Sequence, residues 1–231
     1  MNNGIIKKIY RVKDIENIDS KIKMLGSNRK FNFDAATFLT LRIITSILLT
    51  IILFVLEINY FIIPFIIIIY YNLFYYLLIT NEIKKRTRKL DKEALSFFEI
   101  LTLSLEAGKN LENALELTCN NVDNELSSEF KRCLMETKFG KSFMEAVSDL
   151  KDRIPSETVN NIILNITQTS VFGNSIIEVM NTQVEFLREK QVMEVKGQIN
   201  KIPNKVSIVS VLFIIPIILL MILGPILINL F

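Results

Sequence analysis

Gly140-Lys141-Ser142 is where residue types and order come nearest to chemistry in this 231-residue chain. The tripeptide resembles the end of a loop that cradles phosphates, with a lysine for the terminal oxygens and a hydroxyl for magnesium. That chemistry also needs a glycine five positions before Gly140, and the residue there is Met135. It further needs a preceding strand, whereas residues 124–138 carry a helical period, so nucleotide binding is not expected. Nucleophilic catalysis fails on composition: there is no His, so no Ser or Cys has an imidazole base. Cys119 and Cys133 cannot close a zinc site without His. They read as two small apolar residues with reduced thiols, a regulatory disulfide being the alternative. Charged pairs such as Glu185, Glu189 and Lys190 sit at helical surface spacing and read as a solvated face. No catalytic residue, metal or cofactor is expected.

A different pattern recurs three times: Gly108-Lys109-Asn110-Leu111, Gly140-Lys141-Ser142-Phe143 and Gly173-Asn174-Ser175-Ile176. The glycines are 32 and then 33 positions apart, and each phrase is followed by an apolar pair: Ala114-Leu115, Ala146-Val147 and Val179-Met180. Each Gly closes one helical pattern, and each Asn or Ser stands where the next helix needs a cap. A unit of this length is a helical hairpin that must pack on its neighbours to bury its apolar face. The spacing predicts helices over Asp91–Ala107, Leu111–Asn121, Asn124–Lys138, Phe143–Arg153, Ser156–Val171 and Ser175–Ile202, with Pro155 and Pro203 as stops. One apolar stripe runs through Leu95, Phe98, Leu101, Thr102 and Leu105, and another through Ile162, Ile163, Ile166 and Thr169-Ser170.

These hairpins lie between long apolar runs. Half the residues are hydrophobic and 22% are charged, yet 38–79 and 206–231 are nearly free of charge. Such segregation predicts a membrane protein with a soluble domain. The predicted spans are Phe38–Leu56, Tyr60–Ile79 and Val206–Phe231, with Arg42 close enough to the first span's end to snorkel. None of the three contains Asp or Glu. That excludes an intramembrane aspartyl protease and argues against a proton-coupled transporter.

Lys and Arg crowd before the first span and after the second, and the short turn at 57–59 has none. The positive-inside rule then places the N-terminus and residues 80–205 in the cytoplasm and the C-terminus outside. The fold class predicted is all-α: a multi-pass membrane protein with three transmembrane helices and a cytoplasmic six-helix antiparallel bundle. Its parts are a basic amphipathic segment (1–37), a transmembrane hairpin (38–79), the helical domain (80–205) and a last span (206–231). In the first part Ile5, Ile9, Val12, Ile15, Ile18, Ile22 and Leu25 recur at steps of three and four among basic residues. A membrane-surface helix is the preferred reading, and a helix docked on the soluble domain is the alternative. The net charge of +3 is too small to suggest nucleic acid.

Helix direction adds one expectation. The first soluble helix leaves the membrane, so all three glycine turns gather at the membrane-distal end of an upright bundle. They expose Lys109, Lys138, Lys141 and the caps, among them Asn174, as a basic tip suited to docking a partner. Ordinary solvated turns are the alternative.

From about Ala94 to Pro225 the sequence resembles the type II secretion system F domain, found in platform proteins of type II secretion, type IV pilus and tight-adherence (Tad) machines. The resemblance rests on Leu103-Ser104-Leu105-Glu106-Ala107-Gly108-Lys109-Asn110-Leu111-Glu112-Asn113-Ala114-Leu115, on Phe139-Gly140-Lys141-Ser142 with Ala146-Val147, and on Phe172-Gly173-Asn174-Ser175. Pro203, Pro216 and Gly224-Pro225 around the terminal span extend it. The first two spans fit the arrangement of the tight-adherence B and C proteins. Larger relatives carry two such domains; here there is one, so a second copy or a sister platform chain would supply the other half. The resemblance implies a non-enzymatic protein of the bacterial cytoplasmic membrane that couples a hexameric assembly ATPase to insertion of pilin or pseudopilin subunits. The same domain as a scaffold in competence or sporulation, or a small-molecule transporter component, are the alternatives.

Overall fold

A computed structural model describes residues 12–26, 34–56, 60–172 and 176–228, and all the secondary structure among them is helical. The chain divides into two units, Met1–Gln183 and Val184–Phe231.

In the first unit α1 (Val12–Lys23) precedes two apolar helices, α2 (Ala35–Val55) and α3 (Ile63–Tyr75), which pack on each other. Pro64 stands in the first turn of α3, where its missing N–H costs nothing. A π-helical turn, Tyr76–Thr80, joins α3 to α4 (Asn81–Glu106) without a break. The stretches Ala35–Val55 and Ile63–Glu106 are long and apolar enough to cross a membrane. The sequence pattern ended the second span at Ile79 and began a new helix at Asp91. Residues 80–90 contain no Pro or Gly, and their Glu, Lys and Arg favour a helix, so the span simply propagates. The resulting 44-residue rod is roughly 66 Å long.

Two contacts define this end of the hairpin. Ile18 and Ile22 of α1 are buried in one cluster with Ala35, Phe38, Leu39 and Ile79. The described part of the apolar stripe therefore packs on the feet of α2 and α3, a surface that neither the membrane-surface reading nor docking on the soluble domain names. Arg42 turns toward α3. Its guanidinium lies across the Tyr71 ring, and Nη2 donates to the Tyr71 carbonyl at 2.8 Å.

The polar end of α4 packs with α5 (Leu111–Asn121), α6 (Glu125–Lys138) and α8 (Glu157–Phe172), and α7 (Phe143–Arg153) packs on α6 and α8. Four of the six helix spans expected from the sequence thus recur almost residue for residue. At the centre Phe97 stacks on Phe130 with centroids 4.7 Å apart, and Phe98 meets both rings edge-on. Aromatic pairs of this kind contribute about 0.5–1.5 kcal/mol beyond their buried area. The first turns of α9 (Ile176–Ile199) belong to this unit, and Asn181 Nδ2 donates to Glu106 Oε1 at 3.1 Å.

The second unit holds the rest of α9 and α10 (Lys201–Ile228). Pro203 does not stop α9 as expected; the turn falls at Asn200, and Pro203 occupies the first turn of α10, where it needs no donor. α10 runs through Pro216 and Pro225, and its apolar stretch is Ser207–Leu223.

Candidate functional site

The turns that the sequence singles out are built as their residues dictate. Gly108 and Gly140 have φ of 80° and 96°, a left-handed conformation that glycine adopts without steric cost. After α4, Gly108 N donates to Leu105 O at 2.9 Å and Lys109 N to Ser104 O at 3.4 Å. After α6 the same pair recurs, Gly140 N to Thr137 O and Lys141 N to Glu136 O, at 3.0 and 3.2 Å. Both are Schellman ends, which satisfy carbonyls that a helix terminus leaves orphaned. The next helices are capped as expected. Asn110 Oδ1 accepts from Asn113 N at 2.9 Å, and Ser142 forms a full capping box with Glu145. With α6 preceding it, the Gly140 turn holds no phosphate loop. Gly173 and Asn174, the third turn, lie outside the described residues.

Lys138 Nζ, at the end of α6, donates to Glu116 Oε1 in the middle of α5 at 2.6 Å. This contact brings the α4–α5 and α6–α7 turns to one end of the packed helices. It also binds Lys138 to a carboxylate of its own chain. Lys141 is held likewise by Asp149, with Glu136 Oε2 at 3.5 Å. The Asp149 hydrogen bond pushes the Lys141 ammonium up and pulls the Asp149 carboxyl down; the Lys138 hydrogen bond lowers Glu116. Lys109 is exposed and has no ion-pair partner among the described residues. Of the lysines proposed for docking, it alone is uncommitted among those described.

At the other end of α4 lies a site that sequence reasoning missed. Arg86 is 7% exposed and uses every side of its guanidinium. Nε donates to Glu125 Oε1 at 2.6 Å and Nη2 to Glu129 Oε1 at 2.7 Å. Nη1 donates to the carbonyls of Met24, just past α1, and Arg153, at the end of α7. Arg153 in turn pairs with Glu129 Oε2 at 3.4 Å and Glu136 Oε1 at 3.0 Å. Glu93 accepts the Leu126 N–H at 3.1 Å, and Ser156 Oγ donates to Asp91 while capping α8 through Val159 N. α4 therefore carries a polar collar that fixes α1, α6, α7 and α8 just beyond the apolar rod. The signal was present: Arg86, Leu90, Ala94, Phe97, Leu101 and Leu105 share one buried stripe at helical spacing.

Nothing in these arrangements supplies a nucleophile with its base. Cys119 and Cys133 are free and buried; burial raises both thiols, Cys133 to about 11. Among the described residues no cluster of His, Cys, Asp and Glu suits a metal ion.

A family model described as Type II secretion system (T2SS), protein F matches residues 97–224, more than half of the chain. No curated protein and no solved structure matches it.

Proposed function

The chain belongs to the type II secretion system (T2SS) protein F family, and from that premise we propose that it works as a platform in the inner membrane of a secretion or pilus machine, coupling an assembly ATPase to pilin or pseudopilin assembly. The family match across residues 97–224 carries this reading. The partners proposed are the ATPase, the pilin-like subunit, and a second copy or a sister platform chain of the tight-adherence kind. Its place in a bilayer is supported by the two long apolar helices and by the apolar stretch Ser207–Leu223 as a third span. Basic residues on both sides of the first hairpin favour a cytoplasmic N-terminus and cytoplasmic helices α4–α9, with the C-terminus outside.

The structure offers this mechanism a lever. α3, the π turn and α4 form one unbroken helix from the apolar rod to the Gly108 turn, so a push on the turn acts on the span directly. The Arg86 collar ties α1, α6 and α7 to that lever at its membrane end, so the packed helices move with it. The docking surface proposed is the distal basic tip with Lys109, Lys138 and Lys141, to which the sequence pattern adds Asn174.

The test is an in-cell crosslink of the tagged chain, purified in mild detergent, with attached proteins identified by mass spectrometry. Links from Lys109 to a secretion-type ATPase, and pilin-like or platform chains at the spans, support the reading. Recovery of the chain alone, or with a soluble substrate-binding protein, overturns it in favour of a transporter component.

A further inference from the structure

Two cations converge on one ring where α1 crosses α2 and α3. Arg42 sits about 10 Å along α2 from Ala35 and is 7% exposed. Its guanidinium carbon lies 3.2 Å from the centre of the Tyr71 ring and 5.6 Å from that of Tyr75. Lys21 reaches in from α1: Nζ donates to the Tyr75 hydroxyl at 2.7 Å and lies 5.3 Å from the same ring centre. Phe38, one turn before Arg42, packs against Phe74 and Tyr75.

Neither cation has a carboxylate partner among the described residues, and Arg42 Nε is buried with no hydrogen-bond partner. Aromatic faces and one carbonyl offset only part of the cost of removing a guanidinium from water. Two positive charges gathered at the edge of an apolar rod call for an anion. The fork of Arg suits phosphate, and a lysine beside it adds a second contact. With the span beginning at Phe38, Arg42 lies one turn inside it, beside a basic amphipathic helix and within a long side chain's reach of the headgroups.

We infer that the junction of α1, α2 and α3 binds the phosphate of an anionic membrane lipid, with Arg42 and Lys21, which share the Tyr75 ring, as its cationic contacts. This rests on the reading of α2 and α3 as membrane spans. The bound lipid would fasten α1 to the hairpin from the bilayer side, as Arg86 fastens it from the other.

The full chain in mild detergent, examined by native mass spectrometry, provides the test. The probes are phosphatidylglycerol, phosphatidylcholine and inorganic phosphate. Phosphatidylglycerol should be retained at least fivefold better than phosphatidylcholine, and free phosphate should not displace it. Lys21→Gln and Arg42→Gln should each reduce retention about fivefold, the effect of one Lys or Arg beside an anionic lipid. Lys23→Gln is the control: it removes a charge from the same helix, but one already paired with Asp19 at 3.1 Å, and retention should hold. Lys21 is partly exposed, so its variant keeps the test open if Arg42→Gln fails to fold.

Equal retention of the two lipids, displacement by free phosphate, or equal losses in the Lys21 and Lys23 variants overturns the site. Carbonate extraction of native membranes separates this from the underlying reading. A chain that resists carbonate yet shows no lipid preference loses only the site, whereas a chain released by carbonate loses the spans and the site together.

Discussion

Arg86 Nη2 donates to Glu129 Oε1 at 2.7 Å with both side chains 6% exposed, so one ion pair joins the helix that leaves the apolar rod to the first half of α6. Removing one partner of such a pair leaves the other charged and buried, a loss of about 3–5 kcal/mol. Arg86→Met should therefore destabilise the full chain in detergent by that amount, measured by thermal or denaturant unfolding. Because Arg86 also holds the Met24 carbonyl, hydrogen exchange should rise over residues 12–23 at the same time. A stable Arg86→Met protein with α1 still protected would refute the collar.

What was legible in the sequence follows from how local the governing chemistry is. The Gly108 and Gly140 turns, their caps and the bounds of α5 to α7 depend on neighbours within four or five residues, and they were read correctly. The start of α4 was not, because a fall in hydropathy after Ile79 marks where a helix leaves an apolar phase, not where it ends. Arg86 was counted among the charges flanking a span; its acidic partners lie about forty residues away, and only the folded chain brings them together. Lys138 and Lys141, read as exposed docking groups, also pair with Glu116 and Asp149, contacts that their spacing in the sequence does not announce.

Gly26 has φ of 78°, and a Cβ there would stand 2.6 Å from Arg86 Cζ. The guanidinium is held by four hydrogen bonds and cannot give way. At Gly108 and Gly140 a Cβ would meet nothing within 4 Å. Alanine at these two should cost only the left-handed backbone strain, about 1–2 kcal/mol. Gly26→Ala should cost more and expose α1 to exchange. Equal unfolding midpoints for the three variants would contradict the close approach.

Acid should loosen the packed helices through identifiable groups. Burial favours the proton on Glu125, but hydrogen bonds from Arg86 and Lys89 outweigh it and hold the carboxyl below its ordinary 4.5. Asp149 is held below 3.8 by Lys141. A lowered native value gives stability that is complete above the unfolded value and lost as pH falls through the native one. Denaturant unfolding should thus be flat near neutrality and weaken below about pH 4.5, less steeply in Glu125→Gln. An unchanged acid slope in that variant would remove Glu125 from the account.

The thiols should be nearly inert in the native chain. With Cys133 at about 11, only about one molecule in a thousand carries its thiolate at pH 8, and burial blocks access besides. Maleimide labelling should be slow until denaturant is added, then rapid at both cysteines. Rapid native labelling would place one of them at an opening that the packing does not contain.

The docking tip makes the last prediction, because its three described lysines differ in what they already bind. Lys109→Glu disturbs no ion pair among the described residues, so the unfolding midpoint should stay within the range of a surface change, about 0.5 kcal/mol. If the tip meets an acidic surface of the ATPase, capture should fall about tenfold and the loss should shrink as salt is raised. Lys138→Glu sets a carboxylate against Glu116, and Lys141→Glu sets one against Asp149 and Glu136. Those variants should lose stability as well as binding, so only the Lys109 variant separates docking from folding. Capture by Lys109→Glu equal to wild type, at low salt and with an intact fold, would move the ATPase contact away from this end of the helices.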